Sequence, residues 1–95
     1  MAGTTTRRIV IMAEHSATSL ARELKAASSP EKIHEVCDKV RTGAIIGTYH
    51  EVRTLWLRLR NKLFAYQINS DNARQAVERV TEVRSQAYEH FKKTH

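Results

Sequence analysis

The sequence predicts an all-α protein: an antiparallel helical hairpin plus a third helix, dimerising into a four-helix bundle. Three observations carry this expectation. With three Gly and one Pro in 95 residues, the chain has too little turn chemistry for an array of β-hairpins. Hydrophobic residues make up 41% of it, too many for a chain that stays unfolded for want of a core. Apolar residues also recur every three or four positions over long windows, the period of a helix buried along one side. The length allows one domain, residues 1–95, because two cores need more chain than this.

The first helix is expected over residues 5–27, where Ile9, Ala13, Ala17, Leu20, Leu24 and Ala27 form a thin stripe. Ser29-Pro30-Glu31 then reads as a helix start. Ser29 is the N-cap, Pro30 takes the first helical position where a missing N–H costs nothing, and Glu31 complements the helix dipole. Ile33, Cys37, Val40, Ala44 and Gly47 follow as a narrow seam. A glycine inside a helix costs about 1 kcal/mol against alanine, and Gly43 is compatible with a helix end. Yet no proline, Asn-Gly pair or polar cluster interrupts residues 42–66, and Val52, Leu55, Trp56, Leu59, Leu63 and Tyr66 resume a stripe at once. One continuous second helix over 30–67 is therefore expected. Asn69-Ser70-Asp71-Asn72 forms the next cap cluster, and Ala73, Val77, Val80, Ala87 and Phe91 carry a third helix over 71–93. Leu57 and Phe64 fall off the main stripe of the second helix, so its apolar arc is wide. A symmetric homodimer covers such an arc economically, because the same patch is buried twice.

Lone Cys37 forms no intrachain disulfide, and the run Ile9-Val10-Ile11-Met12 is too short for a signal core or a membrane span. A cytoplasmic protein with no membrane association is expected. Sixteen Lys and Arg against ten Asp and Glu give a formal charge of +6, with +2 in residues 1–48 and +4 in 49–95. Such a surplus favours polyanions or acidic partners. Catalysis finds no support: the chain has no Gly-rich phosphate loop, no His-Glu-x-x-His and no Gly-x-Ser-x-Gly. No cofactor or metal is expected. His34 and Asp38 sit one turn apart but supply only half a metal site, and His90 and His95 do not share a helical face.

The cations are more informative. Positions 32, 39, 46, 53 and 60 are spaced by seven and read Lys32, Lys39, Ile46, Arg53 and Arg60, with His50 on the same stripe. On a continuous helix these charges run along about 42 Å of one face. Arg58 and Lys62 thicken its C-terminal end, where Arg53 to Lys62 holds four cations and no acid. Phosphates met by such a face yield affinity without base readout. Duplex RNA, whose base edges are hidden in a deep major groove, suits a long helix touching phosphates and 2′-hydroxyls.

The order of elements, the Ser29-Pro30 start, Cys37 within the long helix and the Lys/Arg stripe together resemble the small RNA-silencing suppressors of insect nodaviruses. The helical-dimer suppressors of tenuiviruses are similar in logic. The resemblance spans residues 5–70 and rests on layout, with no specific motif. It implies a viral, non-enzymatic homodimer that lies along double-stranded RNA in the host cytoplasm and shields it from dicing and from loading into silencing complexes. It also implies that Lys39, Arg53, Arg58, Arg60 and Lys62 contact phosphates, with His50 donating to a phosphate or a 2′-hydroxyl. The chain departs from that layout in its third helix and in Gly43 and Gly47 within the rod. The alternative is a protein-interaction module that docks a partner, such as a host protein, through Trp56, Leu57 and Phe64, with the cations serving solubility.

Overall fold

The computed structural model describes residues 13–94. It is predominantly helical, as expected, but holds four helices and a small sheet. In chain order these are β1 (Glu14–Ser16), α1 (Ala17–Ala26), α2 (Pro30–Thr42), β2 (Ala44–Ile46), α3 (Tyr49–Ala65) and α4 (Asp71–Thr94). The start expected for the first helix, residues 5–12, lies outside the described residues. Within them, Glu14–Ser16 is strand, and α1 begins only at Ala17, where the Ser16 hydroxyl accepts from the Ser19 N–H at 3.0 Å.

The continuous helix over 30–67 is corrected to two helices. The Ser29 N-cap and Pro30 start stand as read, the Ser29 hydroxyl accepting from the Lys32 N–H at 3.3 Å. Gly43 ends α2 in extended geometry, its N–H donating to the Lys39 carbonyl at 3.0 Å. The next N–H, of Ala44, leaves the helix and donates to the Ala13 carbonyl at 2.8 Å. That bond opens a parallel pair in which Glu14, His15 and Ser16 face Ala44, Ile45 and Ile46. Two β-branched residues in a row favour this extended path. A parallel pair needs a crossover, and α1 and α2 supply it. Thr48 and Glu51 then start α3 with a capping box, each side chain bonding the other's backbone N–H at 3.2 and 2.9 Å. Both glycines serve close approach here. A Cβ on Gly43 would stand 2.8 Å from the Ala13 carbonyl oxygen, and one on Gly47 would stand 2.9 Å from the Ala17 Cβ.

Packing follows the stripes. Leu20, Leu24, Ile33, Val36, Cys37, Val40, Val52, Leu55, Leu59, Leu63, Ala76 and Val80 make one buried core with four smaller neighbours. α3 lies between α1 and α4, and α2 packs on α4. α4 thus folds back along α3 and covers its Trp56 side, where the indole N–H donates to the Thr81 hydroxyl at 2.9 Å. Leu57 and Phe64 stay exposed, at 37% and 86%.

Polar clasps hold α2 to the start of α4. Arg79 donates to the Arg41 and Gly43 carbonyls at 3.4 and 3.1 Å, serving the end of α2, while Arg41 reaches Asn72 at 2.6 Å and Gln75 at 3.1 Å. His34 Nδ1 lies 3.0 Å from the Pro30 carbonyl, which can only accept, so in the neutral ring Nε2 accepts from the Ser70 hydroxyl at 2.9 Å. The same Ser70 oxygen caps α4, accepting from the Ala73 N–H. α3 ends in a Schellman turn, with Ile68 N–H on the Leu63 carbonyl and Gln67 N–H on the Phe64 carbonyl. Gln67 takes the left-handed position at φ 55°.

Candidate nucleic-acid interface

The buried stripe of α3 decides what its other side presents. Val52, Leu55, Leu59 and Leu63 face the core, so at about 100° per residue Arg53, Leu57, Arg60, Asn61 and Phe64 point away from it. All five are exposed. Arg58 and Lys62 fall on the edge towards α1 and Trp56 on the edge towards α4. Between Glu51 and Asp71 the chain carries no carboxylate, and Glu51 itself is engaged in its capping box.

The cations expected to share one stripe divide into two groups. Lys32 and Lys39 lie on α2, away from this surface, because the helix is broken at Gly43. Lys39 donates to Glu23 Oε1 of α1 at 2.8 Å, and Lys32 borders a hollow that also contains Glu23 and Glu35. A spacing of seven across two helices and a strand sets up no common face. The α3 residues do come together. Arg53 is exposed, and His50 stands in the first turn with its ring 5.4 Å from that of Phe91. Arg60 stacks on Trp56 at 4.8 Å.

Arg58 and Lys62 line the seam with α1. Arg58 donates to the Ala21 carbonyl at 3.3 Å and Lys62 to the Ala27 carbonyl at 2.6 Å, near the end of α1. Each of these bonds leaves donors free, since guanidinium has five and ammonium three. The seam holds a hollow of about 320 Å³ lined by Lys25, Arg58, Asn61, Lys62, Ala65 and Tyr66. It adjoins a second, of about 450 Å³, that shares Lys25 and Arg58 and adds Arg22 together with the Glu51 carboxylate. Arg22 and Lys25 are binding candidates that the linear pattern misses. Their spacing on a short helix carries no signal until the pairing of α1 with α3 is known. Arg84, on the opposite seam, is a third, with its guanidinium 4.6 Å from the Trp56 ring.

Elsewhere the chemistry is quiet. Burial pushes the Cys37 thiol up to about 11, the Asp38 carboxylate adding to the effect and Arg41 opposing it. Such a thiol is no nucleophile at neutral pH. Among the described residues no group of three or more His, Cys, Asp or Glu is arranged to hold a metal ion, and no helix is long and apolar enough to cross a membrane. No family model matches the sequence, and no curated protein or solved structure matches it significantly.

Proposed function

We propose that the chain is a non-enzymatic binding protein that holds duplex RNA, regardless of sequence, against the solvent face of α3. One observation carries this reading. Arg53, Arg58, Arg60 and Lys62 of α3, joined by Arg22 and Lys25 of α1 and Arg84 of α4, surround a face whose one α3 carboxylate, Glu51 in the first turn, is engaged in its capping box. Phosphates brought to those cations release condensed counterions, so affinity falls steeply with salt and base identity matters little. A helix of 17 residues is about 25 Å long, enough to follow the shallow minor groove of A-form RNA between its phosphates. Shielding of duplex RNA from host nucleases, and pairing of two copies to lengthen the covered stretch, belong to the same proposal.

The test is a gel-shift titration of matched RNA and DNA duplexes and single strands of about 20 base pairs at two salt concentrations, with light scattering on the same samples; duplexes of that length exceed the roughly 16 base pairs that a double-stranded-RNA-binding domain spans. Preference for duplex RNA, lost with salt, supports the reading. No binding at low salt refutes it.

A second reading rests on Phe64, 86% exposed with Leu57 two turns before it on the same face. An apolar ridge between cations suits an acidic amphipathic helix of a partner protein. Phe64→Ser separates the two: it abolishes docking of such a partner and leaves RNA affinity within about twofold, since phosphate contacts supply most of it.

A further inference from the structure

The seam between α3 and α4 contains an arrangement that the fold alone does not require. Trp56 is fixed by its bond to Thr81, and two guanidiniums share its ring: Arg60 at 4.8 Å and Arg84 at 4.6 Å from the centroid. Like charges gathered on one ring repel each other, and a protein ordinarily answers this with a carboxylate. Among the described residues neither arginine has an ion-pair partner. The positions one turn away on each helix, Trp56, Leu57, Leu63 and Phe64 around Arg60 and Val80, Thr81, Ala87 and Tyr88 around Arg84, hold no acid. Glu89 lines a shallow hollow together with Arg84 but pairs with Lys92 at 3.4 Å rather than with the arginine. Arg84 Nε is buried with no hydrogen-bond partner, whereas buried donors are satisfied in the great majority of cases. Both guanidiniums thus keep their charge without an ion-pair partner among the described residues.

We propose that Arg60 and Arg84, held over Trp56, form a site for one phosphodiester group of the RNA backbone. The inference rests on the duplex-RNA reading and extends it to α4. A phosphodiester carries two non-bridging oxygens, so in the proposed site each accepts from a terminal N–H of one guanidinium, the buried Arg84 Nε being left out. Arg53, exposed one turn before Trp56, stands near the adjoining phosphate. The seam with α1 and the seam with α4 then flank the α3 face as two walls, and each meets one strand of the duplex.

The experiment uses the full chain and a blunt RNA duplex of about 20 base pairs, with affinity measured across a salt series. Arg84→Gln and Arg60→Gln are each expected to weaken binding several-fold and to lower the slope of log affinity against log salt by about one. Arg84→Lys restores the slope, because a charge remains. Trp56 is the chain's single tryptophan, and its fluorescence is expected to change with RNA in step with the gel shift. A measurement without variants guards against misfolding: in the wild-type protein, RNA protects Arg60 and Arg84 from phenylglyoxal. Wild-type slope in Arg84→Gln, or unprotected Arg84, overturns the site while leaving the function standing. Protection by an acidic peptide and none by RNA overturns it in favour of a protein partner. A wild-type chain that binds no duplex RNA overturns both.

Discussion

Gly43→Ala separates the observed fold from the continuous helix that the periodicity suggests, because the two give opposite signs. Inside a helix, glycine costs about 1 kcal/mol relative to alanine, so the substitution would stabilise. In the structure, the new Cβ would stand 2.7 Å from His15 Cδ2 and 2.8 Å from the Ala13 carbonyl oxygen. The imidazole can swing aside. The carbonyl cannot, because it accepts the 2.8 Å bond from Ala44 that opens the β1–β2 pair. Gly43 has φ −107°, so backbone conformation adds nothing and the whole effect is close approach. Overpacking of this kind costs about 1–3 kcal/mol, a fall in Tm of at least about 4 °C in a domain of this size. Urea unfolding of the two proteins reads it as a lower midpoint at unchanged m. A raised midpoint would refute the account and restore the unbroken helix.

Three further outcomes follow from single residues. Gln67 takes the left-handed position of the Schellman turn, where a side chain costs roughly 1–2 kcal/mol; Gln67→Gly raises the unfolding midpoint, less the entropy glycine adds to the unfolded chain. Phe64→Ser leaves stability within about 0.5 kcal/mol, since the ring is 86% exposed; a larger loss in thermal unfolding would mean that the ring is covered in solution. Cys37, its thiol raised from an ordinary 9.0 to about 11 chiefly by burial, resists alkylation at neutral pH in the folded protein and reacts on denaturation. The folded state holds that proton more tightly than the unfolded chain does. The thiol's contribution is thus intact below pH 9 and is lost as pH rises towards 11; a midpoint that rises over that window in wild type relative to Cys37→Ala would contradict it.

The stripes of Leu20 and Leu24, of Ile33, Cys37 and Val40, and of Val52, Leu55, Leu59 and Leu63 were legible because each runs along one helix and meets the core. Ser29-Pro30 was legible because N-cap chemistry is local. Ala44 and Gly47 extended the second stripe by numerical coincidence, and Ile45-Ile46 read as helix because three residues are too few to show a period of two. Thr48-Tyr49-His50-Glu51 did spell a capping box, the signal that should have divided the helix. Arg53, Arg58, Arg60 and Lys62 were found together because one helix carries them. Arg22, Lys25 and Arg84 were invisible because only tertiary packing of α1 and α4 against α3 brings them to the same face. Lys32 and Lys39 were assigned to that face through a rod that the chain does not form.

That difference supplies the most direct measurement. Affinity for duplex RNA is compared across a salt series for the wild-type chain, Arg53→Ala and Lys32→Ala, all exposed sites whose substitution spares the core. An α3-centred surface predicts that Arg53→Ala weakens binding to every duplex sequence alike and lowers the salt slope by about one, while Lys32→Ala leaves both unchanged. Equal losses in the two variants, or none in Arg53→Ala, would contradict it.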